Sequence, residues 1–119
     1  MRENRGMAIT GVVVRRRVAD LDAAIEFYEA LTATSADRFA FSGARLASIG
    51  PFLIFAADGE LAAQLERVVA TVTVDDLDAQ AGLLRSLGAE VVAPVTATPN
   101  GRRMIARHPD GGVFEYTGP

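Results

Sequence analysis

Few side chains in this sequence could carry acid–base, nucleophilic or metal chemistry. Its 119 residues include one histidine, His108, and no cysteine, and all twelve basic residues are arginines. Cysteine nucleophiles, thiolate metal sites and lysine Schiff bases are therefore excluded. A metal site with two histidines cannot form within one chain. The candidate functional groups that we consider below are the carboxylate of Glu115 and the guanidinium groups of Arg15 and Arg17.

The overall composition limits the partners of the chain. Its net charge of −3 and pI of about 5.1 are opposite to the basic balance typical of nucleic-acid-binding domains. The apolar stretch from Ile49 to Ala57 is far shorter than the roughly 20 residues that a membrane helix needs. We therefore expect a cytoplasmic protein with neither a nucleic acid nor a membrane as partner.

An internal repeat organises the chain. The sequence VADLDA at Val18–Ala23 returns as VDDLDA at Val74–Ala79, which is 56 residues later (position 18 against position 74). Each copy follows a β-rich run and precedes apolar residues at helical spacing. Asp20 and Asp76 are well placed to cap these two helices. A repeat of this length predicts two copies of one structural unit.

Three short strands are expected after each helix, separated by turns such as Ser42-Gly43 and Gly50-Pro51. The pattern is βαβββ twice, with module one at about 9–57 and module two at about 67–117. The linker Asp58–Glu66 is expected to form a short helix. We predict that both modules pack as one α+β domain over 7–119, with a flexible N-terminus at 1–6.

Two motifs in this frame resemble a known family. They are the opening VADLDAAIEFY at Val18–Tyr28 and the closing Pro109-Asp110-Gly111 followed by Glu115. Together with the repeat they resemble the vicinal oxygen chelate superfamily, which includes glyoxalases, bleomycin-resistance proteins and extradiol dioxygenases. The likeness covers residues 9–117. It implies two βαβββ modules whose curled mixed sheets pair around a cleft, and a homodimer.

The resemblance also implies where a metal would bind. Metal-dependent members place one ligand on the first strand of each module and one on the last. The corresponding positions here are Val13, Ile54 (or Phe55, if the register differs by one), Val69 and Glu115. One carboxylate does not make a divalent-metal site. We therefore expect no metal and no cofactor, as in the bleomycin-resistance-like branch.

Strand alternation predicts which side chains line the cleft. The result is a mostly apolar surface with a few polar groups, which suits a hydrophobic or aromatic small molecule. Instead of binding a ligand, Glu115 could form a purely structural salt bridge with Arg15 or Arg17. His108 is expected in a solvent-exposed turn. The predicted ligand-binding residues are Val13, Arg15, Arg17, Phe39, Phe41, Ile54, Val69, Thr71, Arg103 and Glu115.

These observations favour binding over catalysis. The first hypothesis is a metal-free protein that sequesters an aromatic or drug-like natural product, as in antibiotic resistance or self-protection. The loop and strand at Pro99–Arg107 resemble those of bleomycin-resistance proteins. The first alternative is a metal-independent lyase or isomerase with Glu115 as general base and an arginine that stabilises an oxyanion. The second alternative is a metal-dependent glyoxalase-like enzyme.

Overall fold

The computed structural model describes residues 8–99 and 101–119, so the predicted flexible segment 1–6 lies outside the described residues. None of the helices in the described part of the chain is long and apolar enough to cross a membrane. The elements, in chain order, are β1 (Ile9–Arg17), α1 (Leu21–Thr32), β2 (Asp37–Phe41), β3 (Ala44–Ile49), β4 (Phe52–Ala56), α2 (Gly59–Glu66), β5 (Val68–Val74), α3 (Leu77–Ser86), β6 (Glu90–Thr98), β7 (Gly101–Arg107) and β8 (Val113–Gly118).

The described residues form two compact units. The N-terminal unit comprises residues 13–67, and the C-terminal unit comprises residues 68–119 with residues 8–12. The order of elements is the predicted βαβββ in each repeat, and the linker between the repeats forms the helix α2. The α+β class with two βαβββ repeats is thus confirmed, whereas the single domain over 7–119 stays a prediction.

The N-terminal unit has the strand order β2-β3-β4-β1, in which β4 and β1 are parallel and the other pairs are antiparallel. Helix α1 begins where the Asp20 carboxylate accepts a hydrogen bond from the Ala23 N–H at 3.1 Å. Its buried residues Leu21 and Ile25 pack against Ala47, Ile49 and Ile54 of the sheet. We call this side of the sheet the α1 face.

Helix α2 covers the opposite side of the same sheet, which we call the α2 face. Leu61 and Leu65 of α2 pack against the buried side chains of Ala44, Leu46 and Phe55. The sheet of the N-terminal unit is therefore packed on both faces, by α1 on one and by α2 on the other.

The C-terminal unit has the strand order β5-β8-β7-β6, with β5 and β8 parallel. Helix α3 is capped as α1 is, by a 3.1 Å hydrogen bond from the Ala79 N–H to the Asp76 carboxylate. It buries one face of the sheet in a core that includes Val72, Leu77, Leu84, Met104 and Tyr116. We call the other side of this sheet the Glu115 face.

Candidate binding site

Glu115 lies at the centre of a polar cluster in the C-terminal unit. The Thr71 hydroxyl donates a hydrogen bond to Glu115 Oε1 at 2.8 Å. The Arg103 Nε–H donates to Glu115 Oε2 at 2.7 Å. The side chain of Glu115 is only 17% exposed, whereas that of Arg103 is 41% exposed. The cluster therefore combines a largely buried carboxylate with a guanidinium group that reaches solvent.

The register of three strands brings these side chains together. Thr71 of β5 pairs with Glu115 of β8 in the parallel ladder. Arg103 of β7 pairs with Thr117, so it is the diagonal neighbour of Glu115 on the antiparallel ladder. Diagonal neighbours on one face lie within reach of long side chains. Three predicted site residues, Thr71, Arg103 and Glu115, are thus brought together, and Glu115 has an arginine partner within its own unit.

Val69, also predicted as a site residue, lies two positions before Thr71 and is 55% exposed. The register of β5 against β8 shifts between Val68 and Thr71, which marks a bulge or irregularity. Strict alternation, on which the sequence prediction for Val69 depended, does not hold across such a shift. The result is an exposed apolar side chain that precedes the buried Thr71 on the same strand.

The predicted arginines of the N-terminal unit bind the segment that contains α2. Arg15 Nη2 lies 3.5 Å from the Leu65 carbonyl oxygen. Arg17 donates from Nη1 to Glu66 Oε1 at 3.0 Å and from Nη2 to the Ala57 carbonyl at 3.1 Å. Both arginines thus contribute to the contact between the first strand and the linker helix. The sequence did not reveal this role because nothing in the linker specifies which face of the sheet it covers.

The prediction for Ile54 is wrong. Its side chain has no exposed surface and packs with Leu21 and Ile25 on the α1 face. The strand registers show which residue of β4 corresponds to Glu115. Arg15 and Thr71 are equivalent positions of the 56-residue repeat. Arg15 pairs with Leu53 across a parallel ladder, as Thr71 pairs with Glu115. Leu53 is therefore the repeat equivalent of Glu115.

The predicted aromatic residues Phe39 and Phe41 lie on β2, at the edge of the sheet in the N-terminal unit. They pair with Leu46 and Ala44, two residues of the core beneath α2. Cross-strand partners share a face, so both rings lie on the α2 face. Both side chains are exposed. Val13 is half-buried on β1.

The residues at the four implied metal positions do not fit a divalent metal ion. With the corrected register they are Val13, Leu53, Val69 and Glu115, of which only the last has a donor atom. Within residues 8–99 and 101–119, no group of three or more histidine, cysteine, aspartate and glutamate side chains could hold a metal ion. A single carboxylate falls short of the several protein donors that such sites use.

His108 lies in the predicted turn between β7 and β8, but its side chain is half-buried rather than solvent-exposed. Its ring stacks on that of Phe114, with centroids 4.1 Å apart, and its Nε2 lies 2.7 Å from the Tyr116 hydroxyl. The turn from His108 to Gly112 closes with a 2.8 Å hydrogen bond from the His108 N–H to the Gly112 carbonyl. That turn folds the imidazole onto the aromatic side chains of the next strand.

The two βαβββ repeats match the glyoxalase-like fold. The chain belongs to the glyoxalase-like domain family, whose model matches residues 11–117. The resemblance to the vicinal oxygen chelate superfamily is thereby confirmed. A search of curated proteins gives no match.

Solved structures agree with this assignment. A protein of unknown function from Methanosarcina mazei is 39% identical, with 94% of each chain covered and a TM-score of 0.86. Methylmalonyl-CoA epimerase from Mycobacterium tuberculosis is 27% identical over 93% of this chain and 89% of that chain, with a TM-score of 0.65. A Mn(II)-bound glyoxalase from Novosphingobium aromaticivorans is 20% identical over 94% of this chain and 40% of that chain, with a TM-score of 0.62. The glyoxalase likeness shows the fold alone.

Proposed function

We propose that this protein is a metal-free small-molecule-binding protein whose ligand contacts the Glu115 face of the C-terminal unit. The observation that carries the proposal is the cluster in which Thr71 and Arg103 each donate to one oxygen of Glu115. Such a cluster is fixed in place before a ligand arrives. It offers a partly exposed guanidinium group to carbonyl or anionic groups of that ligand.

Ile105, the cross-strand partner of Glu115, adds a half-buried apolar side chain to the same face. Small-molecule sites are mostly apolar with a few well-placed polar groups that fix the orientation of the ligand. A molecule with an aromatic or aliphatic body and a few oxygen atoms fits this pattern. Among such molecules, we propose an aromatic or drug-like natural product that the protein sequesters.

The hydrogen bonds that the Glu115 carboxylate accepts favour binding over catalysis. Both oxygens of Glu115 already accept hydrogen bonds, so a proton abstracted from a ligand would compete with Thr71 or Arg103 for the same carboxylate. The geometry thus suits an anchor better than a general base.

The test is a calorimetric titration of aromatic natural products against wild type, Glu115→Gln and Glu90→Gln. Glu90 is the matched control, because it also pairs with an arginine across neighbouring strands, Arg107, at 2.6 Å, but is well exposed. We expect binding to weaken at least about tenfold in Glu115→Gln, because Arg103 then loses the carboxylate that holds its guanidinium group in position for the ligand, and to stay unchanged in Glu90→Gln. Equal affinity for all three proteins would overturn the proposal.

A second candidate function is a metal-independent enzyme that uses Glu115 as base. The 27% identity to methylmalonyl-CoA epimerase favours it. An epimerase of this kind removes and returns the proton next to a thioester carbonyl, so deuterium exchange into 2-methyl acyl thioesters in D2O is the direct assay. Exchange that is lost in Glu115→Gln while thioester binding persists would establish catalysis instead of sequestration.

We also propose that the protein forms the homodimer that the resemblance implies. Phe27 and Leu31 lie one turn apart on α1 and are both mostly exposed, and exposed apolar patches often mark association surfaces. Light scattering should give twice the mass of one chain. Phe27→Asp should halve it, whereas Leu87→Asp, at an exposed apolar site of the other unit, should not. A monomeric wild type would refute this part of the proposal.

A further inference from the structure

A row of polar side chains crosses the Glu115 face next to the Glu115 cluster. Thr73 of β5 pairs with Thr117 of β8, and Thr117 pairs in turn with Arg103 of β7. Each of these threonines lies two positions after a member of the cluster on its own strand, so strand alternation places both hydroxyl groups on the Glu115 face. We call Thr73, Thr117 and Arg103 the donor row.

The Thr73 hydroxyl has a proton that it can give to a ligand. It accepts a hydrogen bond from the Thr10 hydroxyl at 3.1 Å. A hydroxyl group has one proton to donate and two lone pairs to accept with, so this contact orients the Thr73 hydroxyl without using its proton. Gly11 leaves room beside it, since a Cβ atom at that position would lie only 2.9 Å from Thr73 Oγ1.

Two threonines are cross-strand partners of Arg103, and their hydroxyl groups differ. Thr96 of β6 pairs with Arg103 on one side, and its hydroxyl donates to the Pro94 carbonyl at 3.1 Å. Thr117 pairs with Arg103 on the other side and is half-buried. Among residues 8–99 and 101–119, its hydroxyl has no hydrogen-bond partner. The proton of Thr117 is thus available to a ligand, whereas that of Thr96 is already used.

Arg103 adds its terminal guanidinium nitrogens to these two hydroxyl groups. Its bond to Glu115 uses only the Nε–H, and the side chain reaches solvent. In the part of the chain that the structure describes, the terminal nitrogens donate to no other group. The donor row therefore offers protons from three neighbouring strands, β5, β8 and β7, on one face of the sheet.

The spacing of the strands indicates which ligand group fits the two threonines. Neighbouring strands lie about 5 Å apart, and a hydroxyl group donates to an oxygen atom at about 2.7 Å. One oxygen atom can therefore accept from Thr73 and Thr117 together. Carbonyl and carboxylate oxygens have the two lone pairs that this contact needs and carry no proton of their own.

We propose that the ligand of the Glu115 face places a carbonyl or carboxylate oxygen between the Thr73 and Thr117 hydroxyl groups, and that these hydroxyl groups select for it. The inference rests on the proposed function, because it names a chemical group of the same ligand. The terminal nitrogens of Arg103 contact a further oxygen of the ligand, and its apolar body lies towards Ile105.

The experiment is a two-dimensional NMR titration of the ¹⁵N-labelled full chain with 1-naphthoate and its methyl ester. Both probes have an aromatic body and an oxygen acceptor of the required kind, and they differ in charge. We expect saturable shifts of the amides of Thr73 and Thr117. Tighter binding of 1-naphthoate identifies carboxylates as the ligand class, and tighter binding of the ester identifies neutral carbonyl compounds. No saturable shift with either probe would overturn the inference.

Variants of the two threonines beside Arg103 test the role of the hydroxyl group. Thr117→Val keeps the shape of the side chain and removes the hydroxyl, so it should weaken binding of the preferred probe at least about fivefold. Thr117→Ser restores the hydroxyl and should recover most of that loss. Thr96→Val is the matched control and should bind as wild type does. Equal affinities of the two valine variants would contradict selection by Thr117.

Glu115→Gln separates this inference from the function on which it rests. If Glu115→Gln weakens binding of the preferred probe while Thr117→Val leaves it unchanged, the proposed function stands and the inference fails. If neither variant changes the affinity, both fail. A loss in both variants, with none in Thr96→Val, supports the two together.

Discussion

Arg103 contacts Glu115 through its Nε–H, at 2.7 Å from Oε2, while 41% of the arginine side chain stays exposed. Only a small part of the Glu115 side chain remains in solvent, and Thr71 holds its second oxygen. The pair is therefore more than a surface ion pair. It holds a buried charge in place and presents a partly exposed cation on the same face.

The first prediction concerns the stability that this pair provides. Arg103→Gln should lower the free energy of unfolding by about 1–3 kcal/mol, since it leaves a largely buried carboxylate with one fewer donor. Arg107→Gln, which breaks an exposed pair with Glu90, should cost less than about 1 kcal/mol. Urea denaturation at pH 7 measures both. Equal losses in the two variants would contradict a special role for the Arg103–Glu115 pair.

The second prediction concerns the packing beneath α2. Phe55 is 1% exposed and Phe39 is 46% exposed, although both lie on the same face of neighbouring ladders. Phe55→Ala should therefore cost about 3–5 kcal/mol, as other large-to-small core substitutions do. Phe39→Ala should cost less than about 1 kcal/mol. Thermal unfolding monitored by circular dichroism distinguishes these values, and a small loss in Phe55→Ala would mean that α2 does not cover this face.

Much of the fold could be predicted from the repeated motif. The Asp-Leu pair at each repeat predicted both capped helices, and strand alternation predicted that Thr71 and Glu115 share a face. The linker was different, because its sequence indicates a short helix but not which face of the sheet that helix covers. The structural role of Arg17 follows from that placement alone. It could not be predicted before the contact between α2 and the first strand was known.

The predicted site shows a similar division. Glu115 was placed by a motif with fixed spacing, whereas its partner Arg103 depends on the register between two antiparallel strands. Ile54 was misplaced because a shift of one residue moves a side chain to the other face of the sheet. The turn position of His108 was predicted, but its partial burial was not, because that depends on how the turn folds onto Phe114 and Tyr116.

The third prediction concerns the aspartates that cap the first helix of each repeat. Asp20→Ala and Asp76→Ala should each destabilise the protein by about 1 kcal/mol, because each removes a hydrogen bond to an otherwise unpaired helix N–H. Asp58→Ala is the control at helix α2, where the N-cap side chain makes no such bond. It should change the unfolding midpoint in urea by less than half as much as either of the others. A comparable loss at all three positions would show that general charge effects, rather than capping, account for the change.

The fourth prediction is a dependence of stability on alkaline pH. Burial raises the pKa of the Tyr116 hydroxyl above its ordinary value of 10.0, because a buried phenolate loses hydration. The folded state thus holds this proton more tightly than the unfolded state. The resulting stability is fully present below pH 10 and is lost as the pH rises through the folded pKa.

Tyr116→Phe isolates this contribution. At pH 7 it should cost roughly 1 kcal/mol, since His108 Nε2 loses its 2.7 Å partner. Between pH 9 and pH 11, however, the unfolding free energy of Tyr116→Phe should fall less steeply than that of wild type. Parallel slopes for wild type and Tyr116→Phe would contradict the assignment, because the alkaline loss would then arise from other groups.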